Sequence, residues 1–246
     1  MRRTLIVGNW KMHGSRDKLG ELAAIEAHPA IGRSVDVRMA LPATLIGEAA
    51  GMSEAIMIGA QDVHFAEAGA YTGALSAALL REAGARFTLV GHSERRSEGD
   101  TDAIVRRKLE AAGRQGLEVI LCVGESVEAR AQGRGEHVVA EQLRTSLVGT
   151  VPDRLAIAYE PLWCIGAAAP ASPEQIATMH RTIRRELTAM GADASGITLL
   201  YGGAVDPHNA DAILRADDVD GVLAGRASLD AASFLALVDA SPAVAA

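Results

Sequence analysis

Eight short apolar runs, separated by amphipathic stretches, most limit how this chain can fold. Strands that alternate with helices form parallel sheets through right-handed crossovers, and eight such units fit a closed (β/α)8 barrel. An open doubly wound sheet is the alternative, but it would need a Gly-x-Gly-x-x-Gly pattern after its first strand, and residues 8–14 read GNWKMHG. The expected strands begin at Thr4, Val35, Ile56, Phe87, Glu118, Leu155, Ile197 and Gly221.

The stretches between these runs have helical spacing. Ser172 followed by Pro173 predicts the start of one helix, because a hydroxyl caps the first turn and proline suits the first helical position. A length of 246 residues suits one α/β barrel, so we expect residues 1–246 to form a single domain with its site at the C-terminal ends of the strands. The expected helices include residues 18–27, 101–115, 135–147, 173–190 and 208–216.

Charge and composition argue against nucleic-acid and membrane partners. The formal net charge is -7 and only 3% of the residues are aromatic, whereas a nucleic-acid surface needs a basic face or stacking platform. No run approaches the length of about 18 apolar residues that a membrane span requires. The basic start MRRTLIVGNW has too short an apolar run for a signal peptide, so we expect none.

The cysteines and histidines show no metal-ligand spacing. Cys122 lies in an apolar run and Cys164 in an apolar loop, so we expect reduced thiols and a cytoplasmic location. The histidines form no His-Glu-x-x-His or similar pattern. We therefore assign no metal.

Residues 155–166, read LAIAYEPLWCIG, place a carboxylate at the tip of a buried strand. Glu160 directly precedes Pro161, and a residue before proline favours an extended backbone. The loop that follows is apolar and bounded by proline and glycine, which is typical of a lid that excludes water. An acidic residue at the end of an ordinary strand, with a packed loop after it, is the alternative for this pair alone.

Residues just beyond the C-terminal ends of barrel strands converge on one mouth. Glu160 in a water-excluded site is a candidate base, and His92 can polarise a substrate oxygen if it is neutral at a helix start. Lys11 would supply a positive charge and Asn9 a hydrogen-bond donor, while glycine turns after the last two strands could bind an anion through backbone N–H groups. Each residue alone would more simply be a cap, a turn or a solvated side chain.

Five ordered motifs, namely GNWKM, GHSERR, AYEPLWCIG, YGGAV and GVLAGRASL, resemble those of the triosephosphate isomerase family. The resemblance covers nearly the whole chain and implies an isomerase that interconverts dihydroxyacetone phosphate and glyceraldehyde 3-phosphate through an enediolate, without cofactor, as a homodimer. The implied catalytic residues are Glu160, His92, Lys11 and Asn9. The implied residues that bind the phosphorylated substrate are Asn9, Lys11, Gly166, Ala204, Gly225 and Arg226.

The chain departs from the family's pattern around the phosphate and at the subunit contact. Ala204 replaces a small hydroxyl residue, Arg226 replaces a glycine, the lid ends in residues 167–169, all alanine, and Ala74 replaces an acidic residue. An isomerase of longer phosphorylated sugars, such as a tetrulose phosphate, and a phosphometabolite-binding barrel without turnover therefore stand as alternatives.

Overall fold

The computed structural model describes residues 3–149, 151–152, 154–165 and 170–242. Its parallel strands close into a barrel in sequence order, and the last strand pairs with the first through Leu5 and Gly221. This confirms the (β/α)8 barrel and excludes the open sheet. The strands are β1 (Thr4–Asn9), β2 (Val35–Leu41), β3 (Ile56–Ala60), β4 (Phe87–Val90), β5 (Glu118–Val123), β6 (Leu155–Tyr159), β7 (Thr198–Tyr201) and β8 (Gly221–Ala224).

Helices lie between the strands along the chain, as expected, although several are shorter than the pattern predicts. The predicted helix at residues 208–216 spans only Ala210–Leu214, whereas Gly135–Leu147 agrees at both ends. The helices are α1 (Gly20–Glu26), α2 (Ala43–Met52), α3 (Ala77–Glu82), α4 (Ser93–Ser97), α5 (Asp102–Arg114), α6 (Val127–Ala131), α7 (Gly135–Leu147), α8 (Pro173–Ala189), α9 (Ala210–Leu214) and α10 (Ala231–Asp239).

The start of α8 matches the sequence prediction in atomic detail. The Ser172 hydroxyl accepts the backbone N–H of Gln175, and the Gln175 side chain accepts the N–H of Ser172. Pro173 occupies the first helical position, where its missing N–H costs nothing. This reciprocal cap fixes where the chain leaves the loop after β6.

Two apolar layers hold the barrel. Side chains alternate along each strand, so Leu5 and Val7 point into the barrel while Ile6 packs under the helices. Phe87 fills part of the interior opposite Gly59, where a Cβ would lie 2.3 Å from the phenyl ring. The filled interior is a core rather than a channel, which leaves the strand ends as the place for chemistry.

Candidate active site

Glu160 follows β6 and is almost fully buried, at 3% relative exposure. Its backbone N–H donates to the carbonyl of Val123 over 2.7 Å, which continues the pairing of β5 and β6 for one residue. Its carboxylate accepts the Ser93 N–H at Oε2 over 3.0 Å, and Oε1 lies 3.3 Å from Nε2 of His92. The candidate base is therefore held beside the candidate electrophile.

His92 follows β4 by two residues and caps the short helix α4. Its Nδ1 accepts the backbone N–H of Glu94 over 3.2 Å, so this nitrogen carries no proton. The proton of the neutral ring then resides on Nε2, the nitrogen that faces Glu160. The sequence prediction that the residues after His92 begin a helix is confirmed, and the helix start selects the tautomer that can donate from Nε2.

Lys11 stands two residues beyond β1 in an unusual backbone conformation. Its φ of 51° lies in the left-handed region, which costs a residue with a Cβ on the order of 1–2 kcal/mol. Its N–H donates to Oδ1 of the buried Asn9 over 2.9 Å, and its ammonium pairs with Oε1 of Glu94 over 2.6 Å. Partial burial opposes ionisation of Glu94, but the hydrogen bond and charge of Lys11 outweigh it and lower the pKa of Glu94.

The turn after β7 approaches Glu160. A Cβ at Gly202 would lie 3.0 Å from Cγ of Glu160, and one at Gly203 would lie 2.1 Å from the hydroxyl of Tyr201, so glycine is required at the second position. Ala204 follows, half-buried, and its carbonyl accepts the side-chain N–H of Asn209 over 2.9 Å. The close approach to Glu160 and the hydrogen bond from Asn209 therefore hold the turn in place.

The turn after β8 reaches Lys11. A Cβ at Gly225 would lie 3.5 Å from Cε of Lys11, and the Gly225 carbonyl accepts both the N–H and the hydroxyl of Ser228. Arg226 begins the 3-10 turn Arg226–Ser228 and is exposed. In the part of the chain that the structure describes, no ion pair of Arg226 is found. Gly166 and residues 167–169 lie outside the described residues.

The comparisons with known proteins all point to one family. The triosephosphate isomerase family model matches residues 4–241. A triosephosphate isomerase from Afipia carboxidovorans is 47% identical over 250 residues and covers 98% of this chain and 98% of its own, and one from Delftia acidovorans is 44% identical over 247 residues, with 98% and 100% coverage. The crystal structure of triosephosphate isomerase from Bartonella henselae has a TM-score of 0.90 and 41% identity, covering 97% of this chain and 99% of that one.

This chain belongs to the triosephosphate isomerase family. Within this family member, the structure brings Asn9, Lys11, His92 and Glu160 into one connected group through Glu94 and Ser93. Gly225 lies against Lys11. Ala204 and Arg226 occupy the two turns, and among the described residues their side chains form no bond to that group.

Glu125 was not among the residues singled out from the sequence. It is fully buried beyond β5, and Oε1 accepts the Tyr159 hydroxyl over 3.0 Å and the Trp163 indole N–H over 2.8 Å. The Arg130 guanidinium lies 3.4 Å from the same oxygen and stacks 3.8 Å from the Trp163 ring centroid. The rule that located the other candidates, a polar residue just past a strand end, would also have found Glu125.

The loop predicted to be a lid is bonded on both sides of residues 166–169, which lie outside the described residues. Trp163 binds Glu125 on one side, and beyond the lid the Ala171 N–H donates to the Tyr201 hydroxyl over 3.0 Å. Leu162 and Ile165 are partly exposed, at 37% and 38%. The lid itself stays a prediction from the composition of the loop.

Cys122 and Cys164 are free and buried. Burial raises the pKa of the Cys122 thiol, and the neighbouring Glu160 carboxylate raises it further, so the thiol beneath the candidate base stays protonated. Among the described residues, no cluster of His, Cys, Asp and Glu side chains is arranged to hold a metal ion. None of the helices among these residues combines the length and the hydropathy that a membrane span needs.

Proposed function

We propose that this chain interconverts dihydroxyacetone phosphate and D-glyceraldehyde 3-phosphate, with Glu160 as the base and His92, Lys11 and Asn9 as the groups that stabilise the enediolate. The distance of 3.3 Å between His92 Nε2 and Glu160 Oε1 carries the proposal. A proton acceptor and a proton donor so close together can serve two adjacent carbons of one small substrate.

The reaction follows from the two hydrogen-bonding roles. A substrate carbonyl oxygen that accepts the Nε2–H of His92 replaces Glu160 as its acceptor and leaves the carboxylate facing the adjacent C–H bond. Glu160 takes that proton, and the negative charge develops on the polarised oxygen. His92 then relays a proton through Nε2 from the hydroxyl of the deprotonated carbon to that oxygen, so that the deprotonated carbon becomes the new carbonyl. The protonated Glu160 returns its proton to the carbon that carried the original carbonyl. The Lys11 ammonium stabilises the intermediate charge, and a preorganised donor of this kind contributes about a hundredfold or more in rate.

The phosphate would lie between the turns after β7 and β8, held by backbone N–H groups at Ala204, Gly225 and Arg226, by Gly166 from the lid, and by Lys11. The support is that Gly225 lies beside the Lys11 side chain and the β7 turn beside Glu160. The net charge of -7 makes such local donors necessary for an anionic substrate.

A coupled assay on glyceraldehyde 3-phosphate, run beside tetrulose phosphates, tests the function. We expect turnover of triose phosphate with a higher kcat/KM than for any longer sugar, and its loss in Glu160→Gln. The names of the relatives favour triose phosphate over the longer sugars. A higher kcat/KM for a tetrulose phosphate would reverse the assignment. Binding of either sugar without turnover would show that the chain is a phosphometabolite-binding barrel and not an isomerase.

We also propose that the chain forms a homodimer through residues 61–73 and the region around Lys11. A cavity of about 530 Å³ next to Lys11 is lined by Met12 and Leu75, and Met12 is 96% exposed. Met12 and Leu75 both expose apolar side chains at this cavity, and grouped apolar surface of this kind is typical of a face that a partner covers. Such an interface, if formed by the same loop on both copies, would be self-complementary.

Sedimentation velocity tests the dimer. We expect a dimer at micromolar concentration that weakens in Met12→Lys, because a charge would be buried at the contact, and that strengthens in Ala74→Glu if the interface retains a cation for it. A fully active monomer would contradict the proposal. A cytoplasmic location is proposed as well, on the ground that both cysteines are unpaired.

A further inference from the structure

Lys11 has a left-handed backbone, and both its N–H and its carbonyl oxygen are hydrogen-bonded to side chains. Its N–H donates to Oδ1 of Asn9 over 2.9 Å, and its carbonyl oxygen accepts a hydrogen bond from Nε2 of Gln61 over 2.8 Å. A non-glycine residue at a φ of 51° persists where its surroundings determine it. The second of these bonds comes from Gln61, which has no role so far in the reaction.

Gln61 directly follows β3 and uses one amide nitrogen for two carbonyls. Besides Lys11, its Nε2 donates to the carbonyl of Ala40 at the end of β2 over 3.3 Å. The same Ala40 oxygen accepts the N–H of Trp10 over 3.1 Å. The side chain therefore connects the ends of three neighbouring strands, and facing two acceptors fixes which end of the amide is nitrogen.

We propose that Gln61 is a positioning residue for the reaction: its carboxamide holds the Lys11 carbonyl and thereby the left-handed backbone that aims the Lys11 ammonium at the substrate. The proposal rests on the proposed function, in which Lys11 stabilises the developing charge. Rotating the Lys11 backbone into an ordinary conformation would redirect its Cα–Cβ bond, and the ammonium lies at the end of a long flexible side chain. A small backbone change is thereby enlarged at the reacting atoms.

Two alternatives are weaker. Gln61 could simply strengthen the fold, but a packing role would not require its nitrogen to bond a strained carbonyl. It also lines the cavity assigned above to the dimer contact, so its loss could act through assembly. Both alternatives predict effects that do not depend on the side chain of Lys11.

A double-mutant cycle separates these roles, with Gln61→Met, Lys11→Ala and the combined variant measured for kcat and KM on triose phosphate. Methionine keeps the length of the side chain and removes both donors. We expect Gln61→Met to lower kcat/KM by about tenfold to a hundredfold, as a misplaced catalytic group does. In the Lys11→Ala background the same change should alter kcat/KM less than twofold, because no ammonium remains to be positioned.

Further variants make the outcome decisive. Gln61→Glu places a carboxylate opposite two carbonyl oxygens, so its kcat/KM should fall at least as much as that of Gln61→Met. Gln115→Glu introduces the same charge between α5 and β5 and should keep normal kinetics. Assays over a range of protein concentrations, with the free energy of unfolding measured in parallel, detect effects through assembly or folding.

Equal effects of Gln61→Met in both backgrounds, or a loss of stability with unchanged kcat/KM, would overturn the positioning role. Unchanged kinetics of Lys11→Ala alone would instead overturn the proposed function of Lys11.

Discussion

Nε2 of His92 lies 3.3 Å from Oε1 of Glu160, while the Ser93 N–H holds the other carboxylate oxygen at 3.0 Å. Both contacts depend on one chain segment, because His92 caps α4 and Ser93 is its first residue. The helix start thus sets the tautomer of the imidazole and the position of the base together. A change in α4 should therefore affect both proton-transfer groups.

Shortening the base should damage turnover more than binding. Glu160→Asp withdraws the carboxylate from the substrate carbon while leaving the proposed phosphate contacts in place, so we expect kcat to fall by about a hundredfold or more with KM changed little. Steady-state kinetics in both directions provide the measurement. A rise in KM with normal kcat would remove Glu160 from the role of base.

The fold could be predicted because buried parallel strands appear as short apolar runs. The run LAIAY at Leu155 agrees with β6 at both ends, and the runs ITLLY at Ile197 and GVLAG at Gly221 are each one residue longer than β7 and β8. Closure of the sheet into a barrel was predicted from the number of strand–helix units and not from any local sequence pattern. It depends on contacts such as that of Gly221 with Leu5, where a Cβ would lie 1.9 Å from the carbonyl oxygen.

The candidate site was predicted as far as position along a strand determines it. Asn9, His92 and Glu160 converge because parallel strands end at one rim. The bonds that orient them could not be predicted, since the Gln61 contact with Lys11 joins residues 50 apart and that of Trp163 with Glu125 joins residues 38 apart. Such contacts depend on side-chain rotamers and loop paths, which leave no periodic trace in sequence.

The lid anchor predicts a combined effect on stability and kinetics. Trp163→Phe removes one donor from Glu125, whose Oε2 already has no partner among the described residues. We expect the free energy of unfolding to fall by about 1–3 kcal/mol and kcat/KM to fall as the lid loses its attachment.

Tyr159→Phe is the matched control for the lid anchor, because it removes another donor from the same oxygen without touching the lid. Denaturant unfolding and steady-state kinetics of both variants give the comparison. Equal losses of kcat/KM in the two variants would show that Glu125 acts on the barrel and not on the lid.

His180 makes stability depend on pH. Burial lowers its pKa from 6.5 to about 4, opposed by the hydrogen bond to the Asp218 carbonyl, and its Nε2 is buried without a partner among the described residues. As pH falls from 6.5 toward 4, His180 therefore becomes protonated in the unfolded chain but stays neutral in the folded chain. The contribution of neutral His180 to the free energy of unfolding is complete above pH 6.5 and is lost between pH 6.5 and pH 4.

Because of His180, we expect the free energy of unfolding to fall by about 2 kcal/mol between pH 7 and pH 5, since one pKa unit corresponds to about 1.4 kcal/mol. Urea unfolding at the two values, compared with His180→Gln, measures it. The variant should be less stable at pH 7 but lose less on acidification. His137→Gln, at an exposed position, should keep the original pH dependence. An unchanged slope in His180→Gln would contradict the assignment.

Arg226 occupies the turn after β8, where a backbone that approaches a phosphate would favour glycine. Arg226 is exposed, and we expect its guanidinium to point away from the anion and to leave the N–H groups of the turn to bind it. Arg226→Gly should then leave the KM for triose phosphate nearly unchanged or slightly lower. Arg33→Gly, before β2 at the opposite end of the barrel, is the control for loss of positive charge. If KM rises about tenfold in Arg226→Gly alone, worth roughly 1.4 kcal/mol, the guanidinium folds inward and binds the phosphate in place of the hydroxyl that Ala204 lacks.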